Sequence, residues 1–277
     1  MSKRFAPLVG AAAVLAVAAA ITTAASGSDS MPTLTIALNG VKGVTVSGSE
    51  TSGAVSVVST FTGKAPKGPD SGPAFGLVRL KPGATIQQAA GAVQSHHGDI
   101  NALTPYGTLI SNGSPAHVQV NLTPGSYVAL NVSGNRQPGV APFTVTSSSA
   151  PAALPAPQAT ETAVEFGFRG PTVLHDGTIV RAENHGWLVH MIVLAGVRDA
   201  ATGRQMIALL RARKSRQAQK LTDGHFVELL GPSSPGAAQQ QTIHTAPGWY
   251  VEGCFMDTQD GREHADIGMA RLVQVVR

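Results

Sequence analysis

Pro124-Gly125-Ser126-Tyr127-Val128-Ala129-Leu130-Asn131 and Pro247-Gly248-Trp249-Tyr250-Val251-Glu252-Gly253-Cys254 decide the fold. Each is a PGxY turn running into an apolar strand, and each closes one half of a 277-residue chain. Two further pairs recur in the same order. Gly53-Ala54-Val55-Ser56-Val57-Val58 matches Gly177-Thr178-Ile179-Val180-Arg181-Ala182, and Gly76-Leu77-Val78-Arg79-Leu80 matches His190-Met191-Ile192-Val193-Leu194. Three segments repeated in one order describe a duplicated unit. Most runs are short, rich in β-branched residues and separated by Gly, Pro, Asn or Asp, so the chain reads as all-β, two tandem antiparallel sandwiches.

A Ser/Ala/Pro stretch at 147–160 reads as an extended linker between units at 31–146 and 161–277. Gly203 to Leu221 breaks the β pattern: Met206, Leu209 and Leu210 precede a basic run, which predicts one helix inserted in the second unit. Residues 83–95 fill the corresponding slot in the first. Hydrophobic residues make up 43% and charged ones only 13%, against a usual charged share of about 25%, which excludes a charge-rich disordered tail. At the N-terminus, Lys3 and Arg4 precede an apolar run from Leu8 to Ile21 and the small residues Thr22 to Ser26. Residues 1–25 therefore read as a signal peptide, too short to span a bilayer, and the expected location is secreted or extracytoplasmic, in a periplasm or cell envelope. Losing Lys3 and Arg4 lowers the formal charge from +4 to +2, which argues against nucleic-acid binding.

Cys254 is the only cysteine, so no disulfide forms within the chain. A lone thiol in an exported protein is a liability unless it is buried or used. It opens the pattern C-x9-H-x4-M: Cys254, then His264, then Met269, on a loop before a final strand from Ala270 to Val276. A thiolate, an imidazole and a thioether on one loop are the ligands of a trigonal copper site with a weak axial sulfur, lacking one imidazole.

At these residues the sequence resembles the cupredoxin, or blue copper, family. The resemblance implies Greek-key sandwiches and a second imidazole from an earlier strand. In Asn184-His185-Gly186-Trp187-Leu188-Val189-His190, the matching position is His190, with His185 as a rival. It implies one copper ion held by His190, Cys254, His264 and Met269, in a protein for electron transfer or copper holding. In the first half Asn131 stands where Cys254 stands and Gly76 where His190 stands, so that half is expected to bind no metal.

Catalysis is not expected. The chain has no His-x-His pair of the kind multicopper oxidases use, and no G-x-S-x-G, P-loop or H-E-x-x-H motif. A metal-free secreted sandwich with a buried Cys254 is the alternative. Arg211, Arg213, Lys214, Arg216 and Lys220 form a basic patch that could steer an acidic redox partner or meet an anionic cell surface. Asn112, Asn121 and Asn131 begin Asn-x-Ser/Thr sequons.

Overall fold

The computed structural model describes residues 31–65, 72–134 and 137–277; the expected signal peptide lies outside them. The first half contains β1 (Thr33–Asn39), β2 (Gly43–Gly48), β3 (Gly53–Thr62), β4 (Ala74–Leu80), β5 (Gly107–Gly113), β6 (Ala116–Leu122), β7 (Gly125–Asn131) and β8 (Gly139–Val145). Helix α1 (Ile86–Ser95) and a 3-10 turn at Ile100–Leu103 lie between β4 and β5. The second half contains β9 (Ala159–Val164), β10 (Gly167–Arg169), β11 (Val173–His175), β12 (Ile179–Asn184), β13 (His190–Val197), β14 (Thr222–Ser233), β15 (Ala238–Thr242), β16 (Gly248–Gly253) and β17 (Ala270–Val276). Helices α2 (Ala200–Arg211) and α3 (Ser215–Gln219) separate β13 from β14, and a second 3-10 turn spans His264–Ile267.

The protein is mostly β-sheet, and the strand order repeats. The run β2-β1-β3-β6 is matched by β10-β9-β12-β15, and β5-β4-β7-β8 by β14-β13-β16-β17, with β11 added at the edge. The PGxY residues have a matching job in both halves. Tyr127 Oη donates to the Thr123 carbonyl at 3.1 Å and Tyr250 Oη to the Ala246 carbonyl at 2.6 Å, each pinning the turn that launches its own strand. Alternate residues of these strands then face the apolar interior, where Leu34, Ile36, Phe75 and Tyr127 pack in one half and Leu174, Ile192, Tyr250 and Val273 in the other.

Four details differ from the sequence expectation. The first is the junction: Gln119 on β6 pairs with Gln240 on β15, so one eight-stranded sheet runs through both halves. The Gln240 amide donates to Gln119 Oε1 at 2.9 Å and to the Pro155 carbonyl at 3.0 Å, and the Ala152 carbonyl accepts from Ala54 N–H at 2.8 Å. The expected linker is therefore hydrogen-bonded along the sandwich rather than free. β9 also begins at Ala159, within the segment read as linker.

The second is the predicted single helix, which is two. Asp199 caps α2 by accepting the Thr202 N–H, so the helix begins before Gly203, and Arg213 with φ 57° ends it by reversing the backbone before α3. The third is the alignment of the halves. Gly76 lies opposite Leu130 and Val193 opposite Gly253, so Gly76 corresponds to Val193, and the position of His190 falls on Pro73. Pro73 and Asn131 thus stand at the places of His190 and Cys254. The fourth is glycosylation: Asn112 and Asn131 are buried, which leaves only Asn121 of the sequon asparagines exposed. No helix among the described residues is long and apolar enough to cross a membrane.

One buried charged group ties β9 to β17. Arg271 donates to Glu161 and Glu252, both fully buried, and to the Gly170 carbonyl at 3.1 Å. Burial and the adjacent Glu252 push the Glu161 carboxyl up to about 9 against the pull of Arg271. The two carboxyls share the one guanidinium in a buried site, so the pair holds a proton more tightly than free carboxylates do. The folded state thus keeps a proton that the unfolded chain releases near the ordinary carboxylate range. Stability should fall as the pH rises from that range toward about 9. Glu161→Gln, which keeps a donor without the titration, should flatten the melting temperature between pH 5 and 9. Arg271→Met should cost about 3–5 kcal/mol by leaving both carboxyls uncompensated.

Candidate metal centre

His190 begins β13, and Cys254 directly follows β16, the strand paired with it. The loop from Cys254 then folds back on itself. Ala265 N–H donates to the Cys254 carbonyl at 2.9 Å, and Cys254 N–H donates to the Met269 carbonyl at 3.2 Å. Gly268, at φ 117°, permits the left-handed reversal that returns the chain from the His264 turn to Met269.

Three donor atoms meet in this corner. His190 Nδ1 lies 3.0 Å from His264 Nδ1, and Cys254 Sγ lies 3.7 Å and 3.3 Å from the same two atoms. All three residues are fully buried. Of the four residues the sequence singles out, these three converge; Met269 is fully buried in the same apolar cluster as Cys254. His185 is no longer a rival, because its exposed ring pairs with Glu183 at 2.8 Å.

The arrangement fits a metal ion. Two facing ring nitrogens 3.0 Å apart repel unless a proton or a cation lies between them. The point equidistant from the three donor atoms lies roughly 2 Å from each, close to a metal–imidazole bond length. Burial lowers the His190 imidazole, opposed by Glu165; burial and then His190 lower His264 to about 4. Both rings are therefore neutral and free to ligate. Burial pushes the Cys254 thiol up to about 12, although the N–H groups of Met191 and Met256 favour its anion. A cysteine sulfur and two imidazoles, with Met269 in the same buried cluster, are donor types suited to copper.

Two residues outside the sequence reading shape the site. Glu165 accepts from the N–H groups of Trp187 and Leu188, and its Oε1 lies 3.6 Å from His190 Nε2, which has no hydrogen-bond partner. It is the nearest carboxylate able to orient that ring. Asn101, on the 3-10 turn of the first half, accepts the Val189 N–H at 2.6 Å beside His190. Neither could be found by spacing, since each contact crosses a long stretch of sequence. Over the opposite ring, Phe166 meets His264 edge-on at 5.3 Å between centroids, and Trp187 stands out at 77% exposure.

No family model matches the chain, and no curated protein does. Among solved structures it is similar to dithionite-reduced auracyanin from Roseiflexus castenholzii, at 13% identity and a TM-score of 0.26, over 43% of this chain and 95% of that one. A multicopper oxidase is similar at 10% identity and a TM-score of 0.25, over 88% of each chain. The copper-containing nitrite reductase of Thermus scotoductus SA-01 is similar at 12% identity and 0.26, over 88% of this chain and 68% of that one. The likeness to cupredoxins is loose in overlap, and the case for a metal rests on the converging side chains.

Gly186 leaves no room for a larger residue. A Cβ there would lie 2.5 Å from Glu165 Oε1 and 2.7 Å from His190 Nε2. Gly186→Ala should push both groups aside and cost about 1–3 kcal/mol in denaturant unfolding, whereas the same change at open Gly91 should not.

Proposed function

We propose that this protein is an exported mononuclear copper protein of the cupredoxin type, built from two tandem sandwich units, with its one site in the second. The observation that carries this reading is the meeting of His190 Nδ1, Cys254 Sγ and His264 Nδ1 within a water-excluded corner. Bound copper would supply one-electron exchange between its two common oxidation states. The protein's contribution is to hold two neutral imidazoles and a sulfur in one compromise arrangement, acceptable to both states. Met191 N–H, 3.4 Å from Cys254 Sγ, supports the thiolate, and Met269, buried in the same cluster, is the fourth residue that would hold the ion. Electron transfer or copper holding fits the buried donors better than substrate turnover, because neither imidazole is open to a substrate.

Cu(II) added to the purified protein should bind one ion per chain and give an intense visible sulfur-to-metal band. Cys254→Ser should remove the band, and His190→Ala should weaken binding. No band in the wild type would sink this reading. The thiol must surrender its proton to ligate, so calorimetry in buffers of different ionisation enthalpy should register about one proton released, with affinity rising as pH rises.

The basic patch gives this function a direction. Arg211, Arg213, Lys214, Arg216 and Lys220 are exposed, and Arg213 Nε lies 3.6 Å from Asp266 on the His264 turn. An acidic redox partner held there would sit against the metal loop. Oxidation of the reduced protein by hexacyanoferrate(III), an anionic probe, should slow with added salt. Lys214→Glu/Arg216→Glu should lower that rate and flatten its salt dependence.

A further inference from the structure

We propose that the seam between the two halves holds a second binding site, for a small amphiphile with an apolar body and a protonated amine head. A cavity of about 850 Å³ lies between α1, the sheet of β4, β5, β7 and β8, and strand β14. That volume suits a ligand of drug or lipid size. Its walls include Ile86, Val93, Leu103, Leu109 and Leu130. Val132 and Val140, 36% and 50% exposed, also line it, large apolar side chains left without cover.

Glu228 is the one acidic side chain among the described residues of this lining. Its Oε2 accepts the Gly113 N–H at 2.8 Å, which fixes the carboxyl in the wall. Two glycines make room for it, one from each half. A Cβ at Gly231 would meet the Ser111 carbonyl at 2.5 Å and Glu228 Oε1 at 2.7 Å, and one at Gly113 would lie 3.1 Å from Oε2. The backbone is thus bare beside one carboxyl in a mainly apolar chamber, whose other polar side chains are Gln94, His97, Ser111, Asn112 and Gln137. Desolvation pushes that carboxyl up to about 7, with only the Gly113 N–H acting the other way, so no positive group of the protein compensates it. A cation carried by the ligand would supply that compensation. An ammonium restores the charge of Glu228 while its hydrocarbon covers the apolar walls; a fatty acid would set one carboxylate against another.

The site uses none of the copper-binding residues, so it stands or falls independently of them. The test is displacement of a neutral apolar dye, N-phenyl-1-naphthylamine, from the metal-free full chain. Decylamine should displace it at about one-tenth the concentration needed for decanoate. In Glu228→Gln, which preserves an acceptor for Gly113, the dye should still bind and the amine preference should vanish. Ala90→Trp, an exposed helix position on the cavity wall, should abolish dye binding. Cys254→Ser should behave as wild type, which separates this result from the copper titration. The proposal is overturned by absence of dye binding, by equal displacement with amine and acid, by an amine preference that survives Glu228→Gln, or by unchanged dye binding in Ala90→Trp.

Discussion

The pairing of β13 with β16 is the constraint on which the second half depends. Val193 lies opposite Gly253, so the next residue, Cys254, emerges beside the strand that carries Met191 and His190. Met191 N–H reaches the sulfur, and the chain beyond Cys254 has only to turn back to place His264 against both. The ladder itself thus sets the position of the sulfur, and the loop sets the second imidazole. A slip of one residue in that ladder would turn Cys254 to the opposite face of the sheet and dissolve the site.

The repeated topology puts a different side chain at the same corner of the first half. Asn131 occupies the place of Cys254 at the end of the matching strand, fully buried, and its amide donates to the carbonyls of Gly40 and Gly43. A polar side chain can be buried there because two backbone acceptors satisfy it. In the second half the thiol needs no such partner to remain neutral, since burial alone keeps its proton. The same corner therefore fastens a turn in one half and gathers donor atoms in the other.

Much of this was legible in residue order. The PGxY turns announced two equivalent strands, because a tyrosine that bonds back across its own turn needs a fixed spacing, and Tyr127 and Tyr250 have it. Cys254, His264 and Met269 were readable because one short loop carries them all. Contacts between distant segments were not readable. Glu165, Asn101 and the Gln119–Gln240 junction act across dozens of residues, where neither periodicity nor spacing leaves a mark. The helix break at Arg213 was hidden for another reason: a left-handed arginine has no compositional signature. The three-residue misalignment of Gly76 with His190 arose because two apolar runs can be slid past each other, and only cross-strand register forbids it.

The first half is more than a spacer in this arrangement. Asn101 reaches over to the peptide preceding His190, while Leu109 and Ser234 exchange two hydrogen bonds across the seam, at 3.1 Å and 2.9 Å. Ser234 follows the end of β14, whose Ser233 lies opposite His190. The Ser233 carbonyl also accepts from Asn184 at 2.8 Å, and that same amide donates to the Leu188 carbonyl of the loop before His190 at 2.8 Å. Glu165 holds the loop from within the second half, while the Asn101 contact and the Asn184–Ser233 route lead to residues of the first half. Such contacts fix the backbone that carries His190 and so the position of its ring. The sheet shared through β6 and β15 is what brings the first half within reach to make them.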